Sequence, residues 1–592
     1  MFTTRPEIAG IFGVVASTHW IASQVGMAVL ERGGNAFDAA VAAGFTLHLA
    51  EPHLNGPGGD APILIHDART HRQHVICGQG TAPAAATLGH FSGLGLELIP
   101  ATGLLPATVP GAFDAWCLML RDWGTWEFAD VLAYAIGYAR NGIHIVPRVS
   151  ATIASVQPLF ASEWTSSAEV FLPGNAVPAP GSLFARPALA DTYERLCREA
   201  VGSTREARIE AVRDAWYRGF VAEAVDKFFR HSDVLDVSGR HHRGLLSADD
   251  MAGWSASVEA PLGYEYHGHT VLKCGPWSQG PAMLQQLALL RGFDLAAMDP
   301  FGAEFVHTMV ESAKLAFADR EAFYGDPDYV AVPIDTLLSD DYNNERRRLI
   351  GSMASMQLRP GTVAGFDNAV DHHAADRAEM MPRAAGAGEP TISRLGVTGA
   401  DTCHVDVIDR FGNMVSATPS GGWLQSSPVI PGLGFCLGTR GQMFWLKPGL
   451  PNSLTPNKRP RTTLSPSLVL RSGKPWLSFG TPGGEQQDQW QPVMLLRMLH
   501  HGLNLQQSID APNFHTEHWP SSFWPRAARP GKVVIEGRYA DAVLADLLAR
   551  GHLAEKGEDW SEGRLSGARI EPDGQMFAGA NPRGMQGYAV GR

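Results

Sequence analysis

No run of 18 or more apolar residues occurs in this chain, so the sequence offers no candidate for a helical membrane span. Cysteine is sparse: Cys77, Cys117, Cys197, Cys274, Cys403 and Cys436 are scattered and none has CxxC spacing. That pattern excludes a disulfide framework and a zinc ribbon, and reads as reduced, buried thiols. Positive charge is in deficit, with a net charge of -12, which leaves no basic surface for nucleic acid or anionic lipid. The HExxH pattern and other three-ligand spacings are missing. The adjacent pairs His241-His242, His372-His373 and His500-His501 do not change this, because neighbouring residues seldom point at one metal. Gly33-Gly34-Asn35 and Gly56-Pro57-Gly58-Gly59 carry neither the dinucleotide fingerprint nor the phosphate-loop lysine. No metal, no cofactor and no nucleotide are therefore expected. The first residues, Met1-Phe2-Thr3-Thr4-Arg5-Pro6-Glu7, lack a basic segment leading into an apolar run. A cytoplasmic location is expected, with export as the alternative if a leader precedes this sequence.

What is present is a long chain, 592 residues and 45% hydrophobic, ample for a large core. The first half reads mostly as helix. Ser17 or Thr18 can cap a helix that ends at Gly33-Gly34, and Ala36 to about Leu49 gives a second, alanine-rich one. Val306, Met309, Val310, Ala313 and Phe317 form a stripe at helical spacing that reads as core. From about 361 to 400 the chain is rich in Ala, Gly, Asp and Glu and loses periodicity, so a mobile segment is expected there. Beyond it strands dominate. Ser467-Leu468-Val469-Leu470 and Trp476-Leu477-Ser478-Phe479 flank a turn and read as a hairpin, and helical patterns return near 492–503 and 540–550.

The strongest chemical signal is Thr402. It opens the alternating run Thr402-Cys403-His404-Val405-Asp406-Val407-Ile408-Asp409, and a returning strand, Met414-Val415-Ser416-Ala417-Thr418, leads to Ser420-Gly421-Gly422. Alternation puts Cys403 on the face opposite Thr402, in the core. Downstream lie Arg461-Thr462-Thr463-Leu464-Ser465 and Gly480-Thr481-Pro482-Gly483-Gly484. Two hydroxyls and a diglycine able to present backbone N–H groups to an oxyanion make an acyl-transfer constellation.

These segments resemble the gamma-glutamyltransferase family, and the likeness runs through most of the chain. It is carried by Glu31-Arg32-Gly33-Gly34-Asn35-Ala36-Phe37-Asp38-Ala39-Ala40, Glu51-Pro52, Asn55-Gly56-Pro57-Gly58-Gly59, Ala318-Asp319-Arg320 and Asn581-Pro582-Arg583, besides the Thr402 core. The resemblance implies a mixed α/β fold, the four-layer αββα sandwich of N-terminal-nucleophile hydrolases. It implies self-cleavage between Asp401 and Thr402 into chains 1–401 and 402–592 that stay associated as one composite domain, with a higher oligomer left open. Thr402 would then be the nucleophile, with its own new α-amino group as base. That amine has an ordinary pKa of about 7.7–8.0, close to working pH. Ser420 falls where the family places a second hydroxyl beside the nucleophile. Gly483 and Gly484 fall on the oxyanion glycines, and Thr462 and Thr463 on a hydroxyl pair at the pocket floor.

The recognition set departs from the family. Gln79 stands where an Arg clamps the substrate α-carboxylate, Met443 where an Asp holds the α-ammonium, and Gly422 where an Asn lines the pocket. Each charge-assisted hydrogen bond contributes roughly 1.5–3 kcal/mol, so losing both clamps weakens a zwitterionic glutamyl head. Trp423, Phe444 and Trp445 make the neighbourhood aromatic. Arg440 is a candidate replacement anion anchor, against the alternative of a solvated surface arginine. The expected activity is a self-processed Thr amidohydrolase or acyltransferase acting on a small, non-standard acyl amide. The family also holds cephalosporin acylases and an oxamate amidohydrolase, which keep the nucleophile and change the pocket. Two alternatives stay open: a true gamma-glutamyl hydrolase or transferase such as a glutathione hydrolase, and an unprocessed binding homologue.

Overall fold

Strict alternation in the short strands decides the layering. In Gly13–Ser17, Val405–Asp409 and Met414–Ala417, one set of side chains (Val15, Val405, Val407, Val415, Ala417) packs with helices, and the other (Val14, Ala16, Ile408, Met414) faces a second sheet. Both faces are apolar, so both must be covered. A computed structural model describes residues 2–371 and 402–592 in full, and the main chain of Glu389–Ser393 and Gly396–Ala400.

Two seven-stranded sheets form the centre. The first runs Tyr588–Gly591, Gly13–Ser17, Val405–Asp409, Met414–Ala417, Ala61–Asp67, Arg72–Gly78, Ser257–Glu259. The second runs Ile8–Gly10, Met576–Ala580, Ser566–Ile570, Lys474–Gly480, Ser467–Arg471, His269–Lys273, Leu262–Tyr266. Every pairing in them is antiparallel. Helices Trp20–Glu31, Ala36–Ala50 and Ala112–Trp123 cover the first sheet, and Pro281–Leu290, Ala303–Phe323 and Gln487–His501 cover the second. Between the sheets lie Leu64, Val75, Cys77, Leu272, Trp277, Leu468, Ala568 and Met576. The result is the expected αββα sandwich.

Most sequence expectations for elements hold. The second and central helices, the hairpin Ser467–Arg471 with Lys474–Gly480, and the helix Asp541–Ala549 all form. One cap differs: the first helix is capped by His19, whose Nδ1 accepts from the Ile21 N–H at 3.2 Å, not by Ser17 or Thr18. Those two hydroxyls are committed elsewhere, Ser17 Oγ to the His19 carbonyl and Thr18 Oγ1 to Glu51. Of the 361–400 segment, Gly361 N–H donates to Asp319 at 2.6 Å, and Glu389–Ser393 pairs antiparallel with Gly396–Ala400. Residues 372–388, among them His372 and His373, together with 394–395 and Asp401, lie outside the described residues.

Candidate active site

The inter-sheet face of the Thr402 strand turns polar at its start. Residues 402, 404 and 406 share that face by alternation, and their cross-strand partners are hydroxyl residues. Asp406 pairs with Ser416 in register, and ahead of the strand, which starts at Val405, side-chain contacts join His404 to Thr418 and Thr402 to Ser420. Thr402 Oγ1 and Ser420 Oγ are 3.1 Å apart, and both residues are fully buried. His404 Nδ1 meets Thr418 Oγ1 at 3.0 Å, and its Nε2 lies 3.0 Å from Asp406 Oδ2. Buried hydroxyls require such partners, so the ladder fixes Thr402 by pairing rather than by packing. Cys403 points the other way, into the helix-side core, where its Sγ lies 3.1 Å from Glu51. That is the face expected for it.

The loop after Ser420 is clasped by the Asn55–Asp60 turn. Asp60 and Ser420 exchange backbone hydrogen bonds of 2.8 and 2.9 Å. A side chain on Gly59 would sit 2.0 Å from the Ser420 carbonyl, so only glycine allows this approach. Gly422 follows with a positive φ of 67°.

Thr462 and Thr463 are fully buried on the far side of the seam. The Thr462 carbonyl accepts from the Gln279 N–H at 2.9 Å, and its Oγ1 accepts from the Leu464 N–H at 3.3 Å. Gln279 also reaches the diglycine, donating from Nε2 to the Gly484 carbonyl at 3.2 Å. The structure thus ties the 462–463 and 483–484 segments together through one residue, by its backbone N–H on one side and its side-chain amide on the other, that the sequence did not single out. Gly483 has φ +113°, which only glycine adopts without strain. Among the described residues, neither the Gly483 nor the Gly484 N–H donates to a protein acceptor.

One departure from the family pattern, Met443, marks a second wall. Met443 packs with Trp423 and Phe523, and a side chain on Gly484 would meet the Phe523 ring at 3.1 Å. Trp445 is stacked by the Arg526 guanidinium at 3.6 Å. Arg526 Nη1 donates to the Met443 carbonyl at 2.6 Å, and burial pulls its pKa down to about 9. Behind it, Arg461 and Arg320 share Glu321 at 2.5 and 2.7 Å. Burial opposes charge on Glu321, but these arginines outweigh it and hold the carboxyl below its usual range. Phe444 is buried in a separate apolar cluster with Phe91 and Leu105.

Arg440 is not a solvated surface arginine. It is 1% exposed, pairs through Nε with Asp60, and lies 5.1 Å over the Trp423 ring. Burial pushes the Asp60 carboxyl up, against the pull of Arg440. Asp60 directly follows Gly58-Gly59, a signal the sequence carried but left unread. Gln79 is buried just past the end of the strand Arg72–Gly78, one residue beyond the Ala61–Gly78 pair, and its amide makes a long 3.5 Å contact with the Gly80 carbonyl. No hydrogen bond links it to Thr402 or Ser420 among the described residues.

One group of metal-type side chains exists among the described residues, away from this seam: His307, Glu311 and His552. Its bonding capacity is largely spent. Glu311 pairs with Lys314 at 2.6 Å and Arg359 at 3.2 Å, His307 Nε2 donates to the Gly351 carbonyl at 2.8 Å, and the two imidazoles share a 2.8 Å hydrogen bond. A divalent ion there would face two cations across one carboxylate.

The four αββα layers are the fold of the N-terminal-nucleophile hydrolases. A model of the gamma-glutamyltranspeptidase family matches residues 22–591, and the chain belongs to that family. It is 31% identical to the glutathione hydrolase-like YwrD proenzyme of Bacillus subtilis (strain 168), over 99% of both chains. The solved structure of LmbA2991HD is 54% identical, covers 100% of both chains and superposes with a TM-score of 0.93. A cephalosporin acylase from Bacillus halodurans is 27% identical, with a TM-score of 0.83 over 100% of this chain and 98% of its own. The chain is accordingly an enzyme of the amide-hydrolase and transpeptidase type.

Proposed function

We propose that the chain cuts itself between Asp401 and Thr402 and then hydrolyses, or transfers the acyl group of, a small amide without a zwitterionic head. The products of processing would be chains 1–401 and 402–592. The observation that carries this reading is the buried Thr402–Ser420 hydroxyl pair, at 3.1 Å, standing where the family resemblance puts its nucleophile. In processing, Thr402 Oγ attacks the Asp401 carbonyl, an N-to-O shift leaves an ester and a free amine, and water splits the ester. In turnover, the new amine takes the Thr402 hydroxyl proton as Oγ attacks the substrate carbonyl, then passes it to the leaving amine. Water hydrolyses the acyl ester and restores Thr402. The Gly483 and Gly484 N–H groups are the donors for the oxyanion formed in each half.

The substrate reading rests on the second wall. Met443, Trp423 and Phe523 offer apolar surface where a glutamyl ammonium would need a carboxylate. A rearranged gamma-glutamyl site is the second reading, and one observation favours it: Arg440 and Asp60 place a buried cation and carboxylate beside Ser420. The cytoplasm is the proposed location. Two measurements test the proposal. A denaturing gel with N-terminal sequencing should give a small chain beginning Thr-Cys-His-Val-Asp; any other start removes Thr402 as nucleophile, and a single uncut band revives the unprocessed binding homologue. A panel comparing gamma-glutamyl anilide with simple acyl anilides should favour the latter.

A further inference from the structure

The peptide joining Gly483 to Gly484 is trans, and in a trans peptide the carbonyl and the N–H point in opposite directions. The Gly483 carbonyl accepts from Gln487 Nε2. The Gly484 N–H therefore faces away from Gln487 and donates to no described residue. Gln487 is itself held from the other end, where its Oε1 accepts the Ser465 N–H at 3.0 Å. One partner can only accept and the other can only donate, so the orientation of the Gln487 amide is forced.

The clamp has depth. Ser465 Oγ donates to Asp488 at 2.8 Å, and Asp488 pairs with Lys273 at 3.0 Å, with all of these side chains sealed from solvent. The next carbonyl, that of Gly484, accepts from the Gln487 N–H at 3.2 Å and from Gln279 Nε2 at 3.2 Å. Two consecutive carbonyls are thus held by two glutamines, Gln487 and Gln279. A Gly-Gly peptide is the least constrained link in a chain, because neither residue has a Cβ to resist rotation of the plane. Nothing intrinsic to Gly483-Gly484 keeps the N–H where an oxyanion needs it.

We infer that Gln487 is a positioning residue for the acyl-transfer reaction: it locks the 483–484 peptide so that the Gly484 N–H stays aimed out of the loop. The inference rests on the proposed oxyanion role of Gly484. Its test therefore separates position from activity. Crystal structures of Gln487→Leu and Gln487→Glu, the second held above the pKa of the new carboxyl, report the plane directly. Kinetics on p-nitrophenyl acetate report its consequence. Both variants should show the 483–484 carbonyl turned from its wild-type direction, and kcat down about 10²-fold or more with KM little changed. Gln487→Glu keeps the acceptor for Ser465 and loses only the donor, so it covers the case in which Gln487→Leu fails to fold. Burial raises a carboxyl pKa, and a protonated Glu can donate again to the Gly483 carbonyl. The ratio of variant to wild-type kcat should therefore rise as pH falls, which a merely structural lesion would not produce. Ser467→Ala, in the same buried network but without contact to Gly483, should stay within about twofold of wild type. An unrotated peptide in both variants overturns the inference. So does a rotated peptide with kcat within about threefold of wild type. If the wild type leaves the ester untouched, the activity reading fails while the crystal structures still decide the clamp.

Discussion

The two walls of the site are built by different means. On the Thr402 wall, backbone pairing sets the frame: the strands Val405–Asp409 and Met414–Ala417 are in register, the Cys403 N–H donates to the Pro419 carbonyl just ahead of them, and Ser420 exchanges main-chain hydrogen bonds with Asp60. On the Met443 wall, side chains from distant loops do the work, with Met443, Trp423 and Phe523 in contact and Arg526 stacked on Trp445. A wall whose frame is main chain keeps its geometry when one side chain on it changes. A wall made of side chains changes character with each substitution. Chemistry and specificity therefore separate in this fold, and each can be broken alone.

The largest effect is expected at the first wall. Thr402→Ala should remain full length on a denaturing gel and show no turnover, because both proposed steps use one hydroxyl. A cut or active variant would remove Thr402 from the mechanism. Next comes Gly484→Val, which drives a side chain at the Phe523 ring and moves the N–H; kcat should fall about 10²–10³-fold in a processed sample. The second wall is probed by substrate rather than by mutation. Wild-type kcat/KM for glutathione should lie at least about 10²-fold below that for a non-zwitterionic acyl anilide, reflecting two absent charge-assisted contacts. A glutathione value of about 10⁴ M⁻¹s⁻¹ or more would show that Arg440 and Asp60, or others, hold the glutamyl head. Ser420→Ala should slow processing and turnover by about tenfold with the fold intact, since one hydrogen bond of roughly 1 kcal/mol or somewhat more is lost.

The smallest effect lies outside both walls and tests whether they fail independently of global stability. Burial disfavours charge on His515, but Glu562 at 2.6 Å and Glu517 outweigh it and push the imidazole up to about 10. A raised histidine stabilises fully below its unfolded pKa of about 6.5 and loses that contribution as pH rises through 10. Thermal melts should therefore show stability falling from pH 7 to 10, and a flatter profile in His515→Gln. Equal slopes would discard the pair as a source of stability.

The sequence reveals the first wall well and the second poorly, for one physical reason. Thr402, Ser420, Cys403 and the diglycine are placed by period-two alternation and short turns, which are local. Arg440 reads either as an anion anchor or as a solvated surface residue until Asp60, 380 positions away, is brought to it. Gln279, Gln487 and His404 are equally invisible, since a buried polar side chain is defined by partners that only tertiary structure supplies. His19 capping the first helix in place of Ser17 or Thr18 is the same lesson at short range: both hydroxyls had better offers.

The order of strands carries a consequence for how the molecule comes to exist. Gly13–Ser17 lies between Tyr588–Gly591 and Val405–Asp409, and Ile8–Gly10 pairs with Met576–Ala580. A nick before Thr402 would leave two strings woven through each other, each lending edges that the other covers. Either string alone would present those edges bare, an invitation to aggregate. While joined, the halves find each other at the high local concentration of a tether; once parted, re-encounter depends on dilution. Folding would have to come before cutting, and a denatured, nicked sample should recover less than the uncut Thr402→Ala chain, with a yield that rises with protein concentration.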